Sequence, residues 1–145
     1  MPETYAFILA VLLIATTILL HFLVLQWLSW WQERWRGPAH SKIVLIICGL
    51  ILAHMAETAI FAGGYWLGER AQLGSFVSLR PMSHLHLFYF SLEAFTTQGL
   101  GDIYPVGALR LIASLEPLAG LILIGWSTSF TFLTMSREWR DNPRD

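Results

Sequence analysis

The sequence predicts an all-α membrane protein: three membrane-spanning helices and, between the second and third, a short helix that enters the membrane and turns back. Three observations lead there. Of 145 residues, 55% are hydrophobic and 13% charged, against about 25% charged in an ordinary soluble domain. The apolar residues gather into three long runs, Tyr5–Leu28, Ile43–Leu67 and Leu111–Met135; the first has no charged residue, the second only Glu57 and the third only Glu116. The stretch Leu85–Thr97 is equally apolar and aromatic but about half as long.

At about 1.5 Å rise per residue each long run reaches roughly 36 Å, enough for a hydrocarbon core of about 30 Å with some tilt. The first run reads as a retained helix. Met1–Thr4 lacks the basic segment of a secretory signal, and the run ends in aromatics instead of a small-residue cleavage site. Gly37-Pro38 breaks the first connection, and Gly63-Gly64, Gly68, Gly74 and Pro81 punctuate the long one that follows the second run. The expected layout is a peripheral helix and turn over 1–40 and a second unit over 41–136. That unit divides into a span at 43–67, an outer loop at 68–84, a short helix at 85–97, an irregular segment at 97–102 and a last span at 109–136. A short tail covers 137–145.

Charge sets the expected orientation, because Lys and Arg in short loops are biased to the cytoplasmic side. Arg34, Arg36 and Lys42 lie between the first two runs, and Arg137, Arg140 and Arg144 follow the third. Arg70, Arg80 and Arg110 belong to the connection between the second and third. Six against three puts the N-terminus outside and the C-terminus in the cytoplasm, as a multi-pass protein of the cell membrane. Trp27, Trp30, Trp31, Trp35 and Trp139 crowd the inner ends, and Tyr65 and Trp66 the outer end of the second run, as interfacial belts should. A net charge of −1 offers no basic footprint for nucleic acid. The single cysteine, Cys48, permits neither a disulfide within one chain nor a thiol-rich metal site.

The short stretch carries the chemistry. Leu85–Thr97 would span only about 20 Å as a helix, too little to cross. Gln98-Gly99-Leu100-Gly101-Asp102-Ile103-Tyr104-Pro105 follows it. Alternate glycines there forbid a continued helix and permit the positive φ angles that turn successive carbonyls to one side. Irregular backbone at membrane depth is tolerated only when buried in protein or lining water, so this pairing implies an aqueous path.

Thr96-Thr97-Gln98-Gly99-Leu100-Gly101-Asp102 resembles the signature of the pore-loop potassium channel family, usually Thr-Thr-Val-Gly-Tyr-Gly-Asp. Ser91-Leu92-Glu93 resembles the end of that family's pore helix. Pro105–Phe132 resembles its inner helix, with Gly120 near the hinge glycine. The resemblance covers roughly Ile43–Met135, in the manner of the bacterial two-helix pore type, and leaves the first 40 residues as an extra helix. It implies a homotetramer, since one chain brings one loop. Carbonyl rings from Thr97, Gln98, Gly99, Leu100 and Gly101, with the Thr97 hydroxyl, would replace the hydration shell of K+. Glu93, Asp102 and Thr96 would support the filter, with Glu93 and Asp102 paired behind it. The partners implied are other copies of the chain, membrane lipid and K+, with no nucleic acid, no cofactor beyond the permeant ion and no enzymatic activity.

Two departures bear on selectivity. Leu100 stands where the family usually has Tyr, whose hydroxyl bonds to the pore helix; leucine fills volume but has no donor. Leucine does occur there in some members, notably in second loops of the two-pore-domain type. Gln98 replaces Val or Ile and is expected to point behind the filter, its amide meeting Glu93 or a backbone group. The expectation is a potassium-preferring but softened filter.

In the third span, Leu121, Ile124 and Thr128 share a face that would line the cavity. Glu116, about 140° round the helix, would face the pore helix or the second span. Pro117, Gly120 and Gly125 offer either a hinge or small-residue packing. His54 and Glu57, three residues apart, make either an intramembrane pH sensor or a structural hydrogen bond to a neighbouring helix. His84 and His86 flank the short helix, and His21 is expected to be packed or hydrogen-bonded. No span carries arginine at every third position, so no voltage sensor is expected.

Three rival readings remain. One is a weakly selective monovalent cation channel. Another is a haem or metal membrane protein using His21, His54, Glu57 and Glu116, against which His21 and His54 are expected at unequal depth. The third is a non-conducting accessory subunit.

Overall fold

The computed structural model describes residues 1–79, 81–83 and 85–141 and is mostly helical. In chain order it has α1 (Pro2–Arg34), α2 (Ala39–Arg70), β1 (Gly74–Ser78), α3 (His86–Phe95), β2 (Ile103–Gly107) and α4 (Leu109–Asp141). Helices α1, α2 and α4 are long and apolar enough to cross a membrane. Each outruns its apolar run, because polar residues at a span's ends still form helix until a breaker intervenes. Pro2 opens α1 where its missing N–H costs nothing, and Gly37-Pro38 separates α1 from α2. Pro117 leaves α4 helical to its end. Arg80, His84 and Arg144, which entered the sequence reading, lie outside the described residues.

α1 packs against both α2 and α4. Small residues allow close approach: a Cβ at Gly64 would collide with the Leu13 side chain of α1, and between α2 and α4 one at Gly68 would collide with Leu109. At one end of the bundle Lys42 pairs with Glu138 at 2.5 Å and the Thr134 hydroxyl donates to Gln32 at 3.2 Å. That end carries Arg34, Arg36, Lys42, Arg137 and Arg140, and Arg70 and Arg110 sit at the other. Arg34 lies 4.0 Å over the Trp30 ring and Arg70 4.1 Å over Trp66. Each end thus joins a cation to an aromatic belt.

The sequence reading contained no strand, and the expected outer loop at 68–84 is corrected here. Its first residues extend α2, and Gly74–Ser78 pairs antiparallel with Ile103–Gly107, from Gly74↔Gly107 to Ser78↔Ile103. A two-stranded ribbon is all edge, so Pro105 can sit opposite Phe76 without breaking an interior ladder. Ala108 donates to the Leu73 carbonyl at 2.8 Å and Leu79 to that of Asp102 at 2.9 Å, closing both ends.

The larger core cluster gathers Phe61, Tyr65, Phe76, Phe90, Phe95, Ile112 and Leu123 with Ala6, Ala10 and Leu13 of α1. Tyr65, Phe76 and Phe90 meet edge to face with centroids 4.9 to 5.3 Å apart. This aromatic knot ties α2, the ribbon and α3 together, so the chain entering and leaving α3 is anchored on both sides.

Candidate functional site: the loop after the short helix

At ten residues, α3 is about 15 Å long and ends inside the fold. The Thr96 hydroxyl donates to the Leu92 carbonyl at 2.7 Å, and the Thr97 N–H to Ala94 at 3.0 Å, completing the last turn. The backbone then alternates in hand. φ is +61° at Thr97, +56° at Gly99 and +79° at Gly101, and is not positive at Gln98 or Leu100. Such alternation sets N–H groups on one side of the strand and carbonyls on the other. At Thr97, a β-branched residue, the left-handed conformation is strained by about 1–3 kcal/mol, as happens where a site demands it.

Hydrogen bonds fix which side is which. Gln98 N–H donates to the Glu93 carbonyl at 2.8 Å and Leu100 N–H to Glu93 Oε2 at 3.3 Å, so both point back at α3. All peptide bonds are trans. The carbonyls of Thr97 and Gly99, which share those peptides, therefore face away from α3. Among the described residues no carbonyl from 97 to 101 accepts a hydrogen bond from the chain, and residues 96–101 are exposed. Behind the segment lies a recess of about 750 Å³ bounded by Glu93, Ala94, Tyr104, Arg110 and Pro117.

The carboxylate pair expected behind this segment is not formed. Glu93 spends its oxygen on the Leu100 N–H because alternation turns that N–H toward it, while Asp102 Oδ1 is buried without a hydrogen-bond partner. The Gln98 side chain is exposed and does not reach Glu93. On α4 the expected arc holds: Glu116 is fully buried, away from Leu121 and Thr128, which are exposed. It accepts hydrogen bonds from the Tyr65 hydroxyl of α2 and, at 2.5 Å, from the Ser91 hydroxyl of α3. Ser91 Oγ also lies 2.8 Å from the Thr58 carbonyl. Ile124 is half-buried and accepts the Thr128 hydroxyl at 2.9 Å through its carbonyl. Gly120 faces Phe95 so closely that a Cβ would strike the Phe95 carbonyl oxygen, whereas Gly125 has nothing within 4 Å in this chain. The close approach of the Phe95 backbone is by itself reason for glycine at 120. His86 sets Nδ1 2.8 Å from the Ser83 carbonyl as α3 begins.

The expected mismatch in depth between His21 and His54 is overturned. Because α1 continues to Arg34, both histidines stand at similar distance from the turn at 35–38, and their rings stack at 5.3 Å. His21 Nδ1 and His54 Nδ1 each lie 2.8 Å from a Glu57 oxygen. Glu116 takes no part, so three of the four candidate metal ligands meet. Stacked rings that share a carboxylate leave no slot for a porphyrin between them. Tyr65 and Ser127 are the polar partners that sequence reasoning missed: Tyr65 reads as a belt aromatic, and nothing in the pattern singles out Ser127. Cys48 is exposed on α2.

No curated protein and no solved structure matches the chain. A model of the ion channel family does match, over residues 43–137, from the start of α2 through the re-entrant loop into the end of α4. That stretch holds every element assembled above except α1, and with it the chain belongs to the ion channel family, of the two-helix pore kind.

Proposed function

We propose that four copies of this chain form a potassium-preferring channel in the cell membrane, with the carbonyls of Thr97, Gln98, Gly99, Leu100 and Gly101 as the ion-binding filter. The observation that carries the reading is the alternating hand at Thr97, Gly99 and Gly101, with the N–H groups of Gln98 and Leu100 turned onto Glu93. Carbonyls facing one way, with no partner in their own chain, are what a dehydrated cation needs around it. The same feature argues for more than one copy. Exposed, unpaired backbone cannot face lipid, so other protein must surround it, and four loops about an axis do so by closed symmetry.

In this assembly Thr96, Glu93 and Asp102 hold the loop, Leu121, Ile124 and Thr128 line the path below it, and Pro117 and Gly120 shape the helix behind. The basic end of the bundle faces the cytoplasm, which puts the N-terminus outside. The test is ion flux from purified chain in liposomes. Potassium outpaces sodium and barium blocks both; equal permeation of the two ions refutes the selectivity. Leu100, exposed and without a hydroxyl, favours a second reading: a weakly selective monovalent channel, which that equal permeation would establish.

A further inference from the structure

The filter makes no use of a second polar cluster, buried midway along the three spans. His21 of α1, His54 and Glu57 of α2, and Ser127 of α4 form a closed ring. His21 Nδ1 is 2.8 Å from Glu57 Oε1 and His54 Nδ1 is 2.8 Å from Glu57 Oε2. Both remaining ring nitrogens approach one hydroxyl: His54 Nε2 lies 3.0 Å, and His21 Nε2 3.4 Å, from Ser127 Oγ. His21 and Glu57 are fully buried. His54 reaches a groove of about 430 Å³ between α2 and α4, bordered by Ile51, Ile124, Thr128 and Thr131.

Counting hydrogens shows that the ring is short of a positive charge. Two neutral imidazoles giving Nδ1–H to Glu57 leave two Nε2 lone pairs facing Ser127, whose hydroxyl has one hydrogen to give. A buried carboxylate with no net cation beside it is also costly. A metal ion on the two Nδ1 atoms and a Glu57 oxygen resolves both difficulties. Each imidazole then carries its hydrogen on Nε2, and the two lone pairs of Ser127 Oγ accept both. Donor atoms from His21, His54 and Glu57, one from each, lie within 4.8 Å of one another. Two imidazoles and one carboxylate form a zinc donor set that leaves a fourth position open. A hydrogen bond to the far nitrogen is what orients such ligands, and the cores of helical bundles are common settings for them.

We propose that His21, His54 and Glu57 bind a divalent transition-metal cation of the zinc class, which clamps α1 to α2, with Ser127 of α4 as the positioning residue for both imidazoles. The groove beside His54 is the way in. The site gives α1, which lies outside the family match, a specific attachment to the pore unit, and it stands or falls independently of the filter's selectivity.

The experiment uses the full chain without a histidine tag and with Cys48→Ser, stripped with chelator and then dialysed against zinc. Bound metal is measured by mass spectrometry, and the site is also read by the visible absorption of cobalt in place of zinc. One zinc per chain and an intense four-coordinate cobalt spectrum are expected. Ser127→Ala should weaken zinc binding about 10–100-fold, and Glu57→Gln should abolish it at an unchanged elution volume. The proposal is overturned if the parent chain retains no more zinc than Glu57→Gln, or if Ser127→Ala, which removes only an oxygen, leaves the affinity unchanged. A metal-free chain whose ion flux followed pH through His21 and His54 would likewise overturn it, assigning the missing charge to a proton.

Discussion

Gly120→Ala separates a packing role from a hinge role in α4. The added Cβ would overlap the Phe95 carbonyl oxygen and lie 2.9 Å from its carbonyl carbon and 3.1 Å from its Cα. These are backbone atoms at the end of α3, so no side-chain rotation relieves the clash. Ordinary contacts need about 3.5–4.0 Å and the carbonyl oxygen falls furthest short, so α3 must retreat by roughly an ångström or more. Overpacking of this kind costs about 1–3 kcal/mol, offset by about 0.8–1.0 kcal/mol from alanine's better helix propensity. The net loss of up to about 2 kcal/mol falls on the conducting arrangement, because Phe95 is two residues before Thr97. A bias of about 1.4 kcal/mol against that arrangement lowers its population roughly tenfold. Gly125→Ala meets nothing within 4 Å in the chain and should gain the helix propensity alone. Potassium flux from liposomes at matched protein load should therefore fall about tenfold in Gly120→Ala and stay near the parent in Gly125→Ala. Equal flux from the two variants would refute the packing argument, and a larger loss at Gly125 would restore the hinge.

Three further outcomes follow from the same contacts. Glu93→Ala removes the acceptor of the Leu100 N–H, and single-channel recording should show altered open probability or inactivation with little change in the potassium-to-sodium ratio; unchanged gating counts against the contact. Glu116→Ala removes the acceptor of the Tyr65 hydroxyl, and an unmet buried hydroxyl costs about 1–3 kcal/mol. Thermal unfolding of the purified protein should shift downward accordingly, and an unmoved transition would mean that the network contributes little. Leu100→Tyr supplies the missing hydroxyl at an exposed position, so the potassium-to-sodium permeability ratio should rise; a lower ratio would show that the loop is not stiffened from that side.

The spans were legible because their signal is local and strong: runs such as Tyr5–Leu28 leave no other way to satisfy their backbone in lipid. The turn in the loop was legible for a related reason, since glycine at 99 and 101 is the residue that adopts positive φ without strain. The left-handed Thr97 was not legible, because threonine carries no such preference. The ribbon itself was hidden by Pro105, which argues against an interior strand and says nothing against an edge. Side-chain partners were the least readable. The spacing placed Glu116 on the correct arc, but Tyr65 and Ser91 come from other helices, and their meeting is decided by packing that no periodicity encodes. His21 was misplaced in depth because the end of its apolar run was taken for the end of its helix.

That error points to a physical division within the chain. Within α2 to α4 one set of polar residues serves the loop: Ser91 and Glu116 fasten α3, and Glu93 orients the N–H groups of the strand after it. His21, which α1 contributes to its contact with α2, joins instead a ring lying on the basic-end side of that loop, where His54 touches the Phe95 ring at a centroid distance of 5.8 Å. Phe95 also meets Gly120, so one aromatic residue contacts the histidine ring, the closely packed glycine of α4 and, two residues on, the first left-handed turn of the loop. His21 stacks on His54 and His54 meets the Phe95 ring, so a continuous line of rings runs from α1 to the residue two before Thr97.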